Sequence, residues 1–205
     1  MRTLALSAAL LAFTIPASAQ VSLSGADKDT YSLEKNHAFL TWSVVHMGIS
    51  NYTVNFTDFD ATLDFDPDTP TASTISVTIN PLAIETNYPD PEKKVGWEDK
   101  LTKGSSYFNG EEFPEITFVS TGAAQVDEFS GTLTGDLTFL GVTKPITLDV
   151  TYNGVTNTPW FGQRDVIGFN ASTTIDRTEW GLTTNKSSVS SNVVIEFSGE
   201  FLQDD

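Results

Sequence analysis

The chain has 205 residues, with 27 acidic and 11 basic side chains, a net charge of −16 and no cysteine. These numbers exclude a disulfide scaffold, a lipid-modified N-terminal cysteine and any thiol chemistry. So acidic a surface repels nucleic-acid phosphate and anionic headgroups, which argues against nucleic acid as a partner.

Residues 1–19 read as a cleavable export signal. Arg2 is a minimal basic start, Leu4 to Ile15 form a short apolar core, and Ala17-Ser18-Ala19 is an A-x-A cleavage site. The apolar run ends at Pro16 and is too short to span a bilayer. No later stretch is apolar enough to do so, and no stable membrane insertion is expected. The mature chain, residues 20–205, then carries ten basic and 27 acidic groups, a net −17. Its 186 residues suit one soluble domain with a sizeable core, delivered to a periplasmic or extracellular space.

Almost every later segment alternates as a half-buried strand does. Leu40, Trp42, Val44 and His46 share one parity; Val54 and Phe56, then Leu63 and Phe65, continue the pattern across a bend near Asp58–Asp60. Ile75, Val77 and Ile79 form one of the cleanest runs, and Ile116 and Phe118 follow Pro114. From Gly131 to Gly154, Leu133, Leu137 and Phe139 share one parity before a short break. Ile146, Leu148, Val150 and Tyr152 share one after it. Ile167, Phe169, Ala171, Thr173 and Ile175, then Val193, Ile195 and Phe197, complete the series.

Only residues 81–114 break the rhythm. Pro91-Glu92-Lys93-Lys94 and Trp97-Glu98-Asp99-Lys100-Leu101 suggest one or two short helical turns crossing an end of the sheet. Many short antiparallel strands with one excursion predict an all-β barrel, whose closure removes sticky edges. An eight-stranded barrel is just wide enough to be filled by side chains or to hold a small ligand. Pattern alone favours the filled state.

Catalytic motifs are missing. The imidazoles, His37 and His46, lie on opposite strand parities and cannot converge from one strand. There is no G-x-S-x-G, H-E-x-x-H or phosphate-binding glycine loop. Asp64, Asp66 and Asp68 imitate a calcium loop, but Thr69 and Ile75 stand where Gly and Glu are needed. The expectation is therefore no metal, no required cofactor and no enzyme. His46 reads as a hydrogen-bonded core histidine, with headgroup contact as its functional alternative. Arg177 reads as the partner of Asp176, Glu179 or another carboxylate.

The Gly135-Asp136-Leu137-Thr138 and Gly141-Val142-Thr143-Lys144-Pro145-Ile146-Thr147-Leu148 sequences closely resemble the YceI-like family of exported lipid-binding barrels. Tyr31-Ser32-Leu33, His46-Met47-Gly48, Leu63-Asp64-Phe65-Asp66-Pro67, Phe113-Pro114-Glu115-Ile116-Thr117-Phe118 and Ile175-Asp176-Arg177-Thr178-Glu179-Trp180-Gly181 extend the resemblance over most of the mature chain. The resemblance implies an extended antiparallel eight-stranded lipocalin-like barrel with a short helical excursion and an elongated apolar tunnel. It also implies an amphiphilic ligand: a polyisoprenoid, isoprenoid quinone or fatty species. It thus tips the barrel from filled to hollow.

Two departures fall at the expected mouth. Lys100 stands where the family commonly has His, and Tyr88 to Gly96 resembles an insertion. The expected tunnel wall is Leu40, Trp42, Val44, Phe56, Ile75, Val77, Ile79, Phe118, Leu137, Phe139, Ile146, Leu148, Phe169 and Val193. His46, Trp97, Leu101, Tyr107, Phe108 and Arg177 are the headgroup or lid candidates. The expected function is sequestration or transport of a long-chain amphiphilic lipid. A filled-barrel interaction protein without a lipid ligand is the alternative, and a homodimer is compatible with either.

Overall fold

The computed structural model describes Leu23 and residues 25–205, so the expected export signal, residues 1–19, lies outside the described residues. Ten strands and one α-helix follow in chain order: β1 (Asp29–His46), β2 (Ser50–Phe56), β3 (Phe59–Phe65), β4 (Thr74–Ile79), β5 (Ile84–Glu85), α1 (Pro91–Lys103), β6 (Ile116–Gln125), β7 (Ser130–Phe139), β8 (Val142–Asn157), β9 (Asp165–Asp176) and β10 (Val189–Gln203).

Every pairing is antiparallel, and β1 pairs with β10 to close the ring β1-β3-β4-β6-β7-β8-β9-β10. The result is an eight-stranded barrel. β2 adds no stave of its own: β1 pairs with β2 through Leu40–His46 and with β3 through Asp29–Ser32. The two form one stave broken at Thr57-Asp58. The break is tied to the end of β4, where Asn80 donates its backbone N–H to the Asp58 carbonyl at 3.0 Å and its side-chain amide to the Asp58 carboxylate at 2.9 Å.

The β7–β8 hairpin turns on Leu140 and Gly141, both in left-handed backbone (φ 50° and 72°), between the paired residues Phe139 and Val142. That mirror-image turn matches the right-handed twist of the flanking strands. Pro145, three residues into β8, pairs with Asp136, and the β8–β9 ladder begins only at Asp149. Counting from the turn, position 145 points its nitrogen away from β7, so the missing N–H breaks no ladder bond. Gly135 in β7 leaves room for the Phe118 ring, which would lie 2.4 Å from a Cβ placed there.

The excursion forms a single 13-residue helix rather than separate turns. Asp90 caps it by accepting from the backbone N–H groups of Glu92 and Lys93, and Pro91 occupies the first turn, where its lost donor is harmless. The cap bonds and the Lys93 ammonium hold the Asp90 carboxyl below its usual range, the lysine contact being the larger cause.

Side chains inside the barrel segregate into two zones. At the end where β1 starts and β10 finishes, Tyr31, Phe65, Tyr152, Ile167 and Phe201 pack into a dense plug. Ring centroids there lie 5.3 to 6.1 Å apart, in edge-on, tilted and stacked pairs. Around the other half, Leu40, Val44, Phe56, Ile79, Phe118, Phe139 and Ile175 form a looser apolar shell with α1 and Phe108 against it.

Candidate functional site

The looser half encloses a cavity of about 670 Å³. Its wall is apolar through its depth. Leu40, Trp42 and Val44 from β1, Phe56 from β2, Ile75, Val77 and Ile79 from β4, and Phe118 from β6 line it. Leu137 and Phe139 from β7, Ile146 and Leu148 from β8, and Val193 from β10 complete the expected set, with Phe169 the exception. Period-two alternation put these residues on one face, and closure turned that face inward.

Phe169 belongs to the plug. It lies against Tyr152 (5.3 Å), Phe65 (5.9 Å) and Phe201 (6.1 Å) and borders a separate pocket of about 150 Å³. A register shift in β8 between Tyr152 and Gly154 accompanies this packing. The plug closes the main cavity at its deep end. Its floor is Phe59, Ala61, Phe197 and Phe201.

Polarity rises towards the mouth. His46, Tyr88, Tyr107, Thr184, Asn185 and Ser188 all border it there. Trp97 and Leu101 of α1 and Phe108 beyond it line the same end. The Trp97 indole donates to the Tyr52 hydroxyl at 2.7 Å, and Phe108 stacks on Phe56 at 5.9 Å with its edge contacts to Trp42 and Phe139. Burial pushes the Tyr52 phenol pKa up, and its hydrogen bonds with Trp97 and Thr86 oppose that. Two hydrogen bonds link the loop after α1 to the loop before β10: Thr184 Oγ1 to the Ser106 carbonyl at 2.5 Å, and Asn185 Nδ2 to the Tyr107 hydroxyl at 3.0 Å. Lys100 sits 5.7 Å from the Trp97 ring and 5.8 Å from the Tyr107 ring.

Two sequence readings need correction. His46 is exposed at the rim, because its strand ends there and parity no longer implies burial. Arg177 is buried, only 4 % exposed, and its guanidinium serves backbone carbonyls in place of a carboxylate. It donates to Leu182 (2.8 Å), Ser190 (2.9 Å) and Val189 (3.3 Å), fastening both ends of the loop that borders the mouth. Burial lowers its pKa and Asp176 partly restores it. Asp176 itself caps the following 3-10 turn through the Thr178 N–H at 2.9 Å.

Sequence reasoning did not assign Tyr52, Phe59, Ala61, Leu182, Val189 or Phe197 to the cavity, although they line it. Phe197 shares the parity of Val193 and could have been found; Leu182 sits in a loop without alternation and could not. Among the described residues, Glu34, His37 and Glu200 bring metal-type ligand atoms within 4.8 Å of one another on the barrel exterior. His37 Nδ1 already contacts Glu34 at 2.5 Å. No helix among the described residues is long and apolar enough to cross a membrane.

The model of the YceI-like domain matches residues 31–201. The chain belongs to the YceI-like family. The Protein YceI of Salmonella arizonae is 34 % identical over 197 residues, 95 % of this chain and 97 % of its own. The YCEI protein of Campylobacter jejuni superimposes with a TM-score of 0.67 at 27 % identity, over 78 % of this chain and 90 % of its own. A polyisoprenoid binding domain from Saccharophagus degradans shares the fold at 13 % identity, with a TM-score of 0.62 over 85 % of this chain and 98 % of its own.

Proposed function

We propose that this protein is exported and that it sequesters or carries one long-chain amphiphilic lipid, a polyisoprenoid or an isoprenoid quinone. The observation that carries the reading is the blind apolar cavity of about 670 Å³ with polar groups gathered at its mouth. An amphiphile matches that gradient, with its tail on the aliphatic and aromatic wall and its headgroup near Tyr107, Asn185 and His46. The relation to a polyisoprenoid binding domain of the same fold supports the choice of tail.

The energetics favour such cargo. Each methylene moved from water into an apolar site gains about 0.8 kcal/mol, so shielding a prenyl tail lets a barely soluble molecule cross an aqueous compartment. The wall supplies shape and no reacting group.

Titration with a prenyl quinone tests the reading. Trp42 lies in the wall and Trp97 at the mouth, so indole fluorescence should be quenched to a plateau at one quinone per chain. Quenching that grows without saturation would signal surface adsorption and remove the cavity from the account.

A further inference from the structure

At the open end, the β1–β2 hairpin holds two large apolar side chains in solvent: Met47 is 60 % exposed and Ile49 86 %. Met47 borders the cavity, whereas Ile49 stands outside it. Met47 and Gly48 both take left-handed backbone, φ 54° and 72°. Glycine adopts that conformation freely, but methionine is strained in it. The turn is nonetheless well fixed. Ile49 N–H donates to the His46 carbonyl at 3.1 Å, and Met47 N–H donates to the Ser188 carbonyl at 2.7 Å, joining the hairpin to the loop that Arg177 fastens.

Charge around the mouth is a separate observation. Residues 46–57, 104–110 and 180–195 hold none of the chain's 27 acidic side chains, although all three segments meet at the cavity. Lys186 lies in the third segment and Lys100 beside Trp97 and Tyr107. On the hairpin side of the mouth, therefore, no carboxylate stands to repel a headgroup layer, and on the helix side Asp90 is paired with Lys93, Glu85 and Glu98 with Lys94, and Asp99 with Lys103.

We propose that this rim is a bilayer-contact surface, with Ile49 and Met47 entering the headgroup boundary so that lipid passes between membrane and cavity without crossing water. The proposal rests on the lipid-carrier reading and adds the partner and the route. Contact confined to a hairpin tip is weak and reversible, which an exchange surface requires.

Flotation with empty phosphatidylcholine vesicles tests it directly, alongside transfer of a fluorescent prenyl probe from loaded vesicles. The wild-type protein should float in part, and its transfer rate should rise with vesicle concentration. Ile49→Asp should lower both the vesicle-bound fraction and the transfer rate at least ten-fold, with probe affinity in solution unchanged. Ile49→Trp should bind vesicles more tightly, with a blue shift of the new indole. Trp160→Asp is the control: Trp160 is 78 % exposed, but lies in the turn between β8 and β9 at the plugged end, and its loss should change neither readout. Flotation of wild type and Ile49→Asp alike, or of neither, overturns the proposal. Tight probe binding with a vesicle-independent transfer rate would overturn the contact and leave the carrier standing. Flotation sensitive to Ile49 without probe uptake would do the reverse.

Discussion

The Val77→Trp protein is expected to bind a long prenyl chain at least ten-fold more weakly than wild type, with an unchanged or higher unfolding temperature. Val77 lies in β4, paired with Ala61 on one side and Phe118 on the other, and it touches both the plug and the shell around the cavity. An indole there occupies the deep end of the bore. A tail that loses two or three buried methylenes, at about 0.8 kcal/mol each, loses about 2 kcal/mol. At about 1.4 kcal/mol per factor of ten, that is more than ten-fold in Kd. The cavity of about 670 Å³ has room for the ring, so overpacking should not offset the gain in apolar contact. Paired titration and thermal melts check both halves. Unchanged affinity would mean that the tail never reaches Val77.

Arg177→Ala should destabilise the protein by about 3–5 kcal/mol, since each buried carbonyl left without its donor costs about 1–3 kcal/mol and water recovers part of the sum. Three carbonyls, those of Leu182, Val189 and Ser190, lose their donor at once. Arg177→Lys should recover only a minor part, because an ammonium lacks the planar fork that serves three acceptors in fixed directions. Denaturant unfolding gives the magnitude. Hydrogen exchange should show protection lost first in the segment 182–190, since that loop is held to the barrel through this side chain. Loss of less than about 1 kcal/mol would mean that water replaces the guanidinium without penalty.

The barrel was legible in the sequence because its strands are half-buried, and alternation records which face is inside. The β7–β8 hairpin shows this most clearly, with inward Leu133, Leu137, Ile146 and Leu148 and a two-residue turn at Leu140-Gly141. Depth along the barrel axis was not legible. Phe139 and Phe169 alternate alike, yet one lines the cavity and the other belongs to the plug. What separates them is the stagger of the strands around the ring and the irregularities at Ser120/Gly122 and Tyr152/Gly154, which no single strand's pattern contains. Helix α1 was read as fragments because Gly96 interrupts it and only Leu101 and Thr102 are fully buried, leaving a weak apolar stripe. The partners of Arg177 were hidden for another reason. They are backbone carbonyls of a loop, and side-chain identity says nothing about where a carbonyl points.

The central claim, a hollow barrel that holds one lipid, is tested most directly by native mass spectrometry of the purified protein, followed by organic extraction and lipid mass analysis. The account predicts one isoprenoid or quinone per chain, either retained from the producing cell or taken up when a prenyl quinone is supplied. A protein that is empty as purified and refuses every added prenyl quinone would contradict it and favour an interaction protein built on the same barrel.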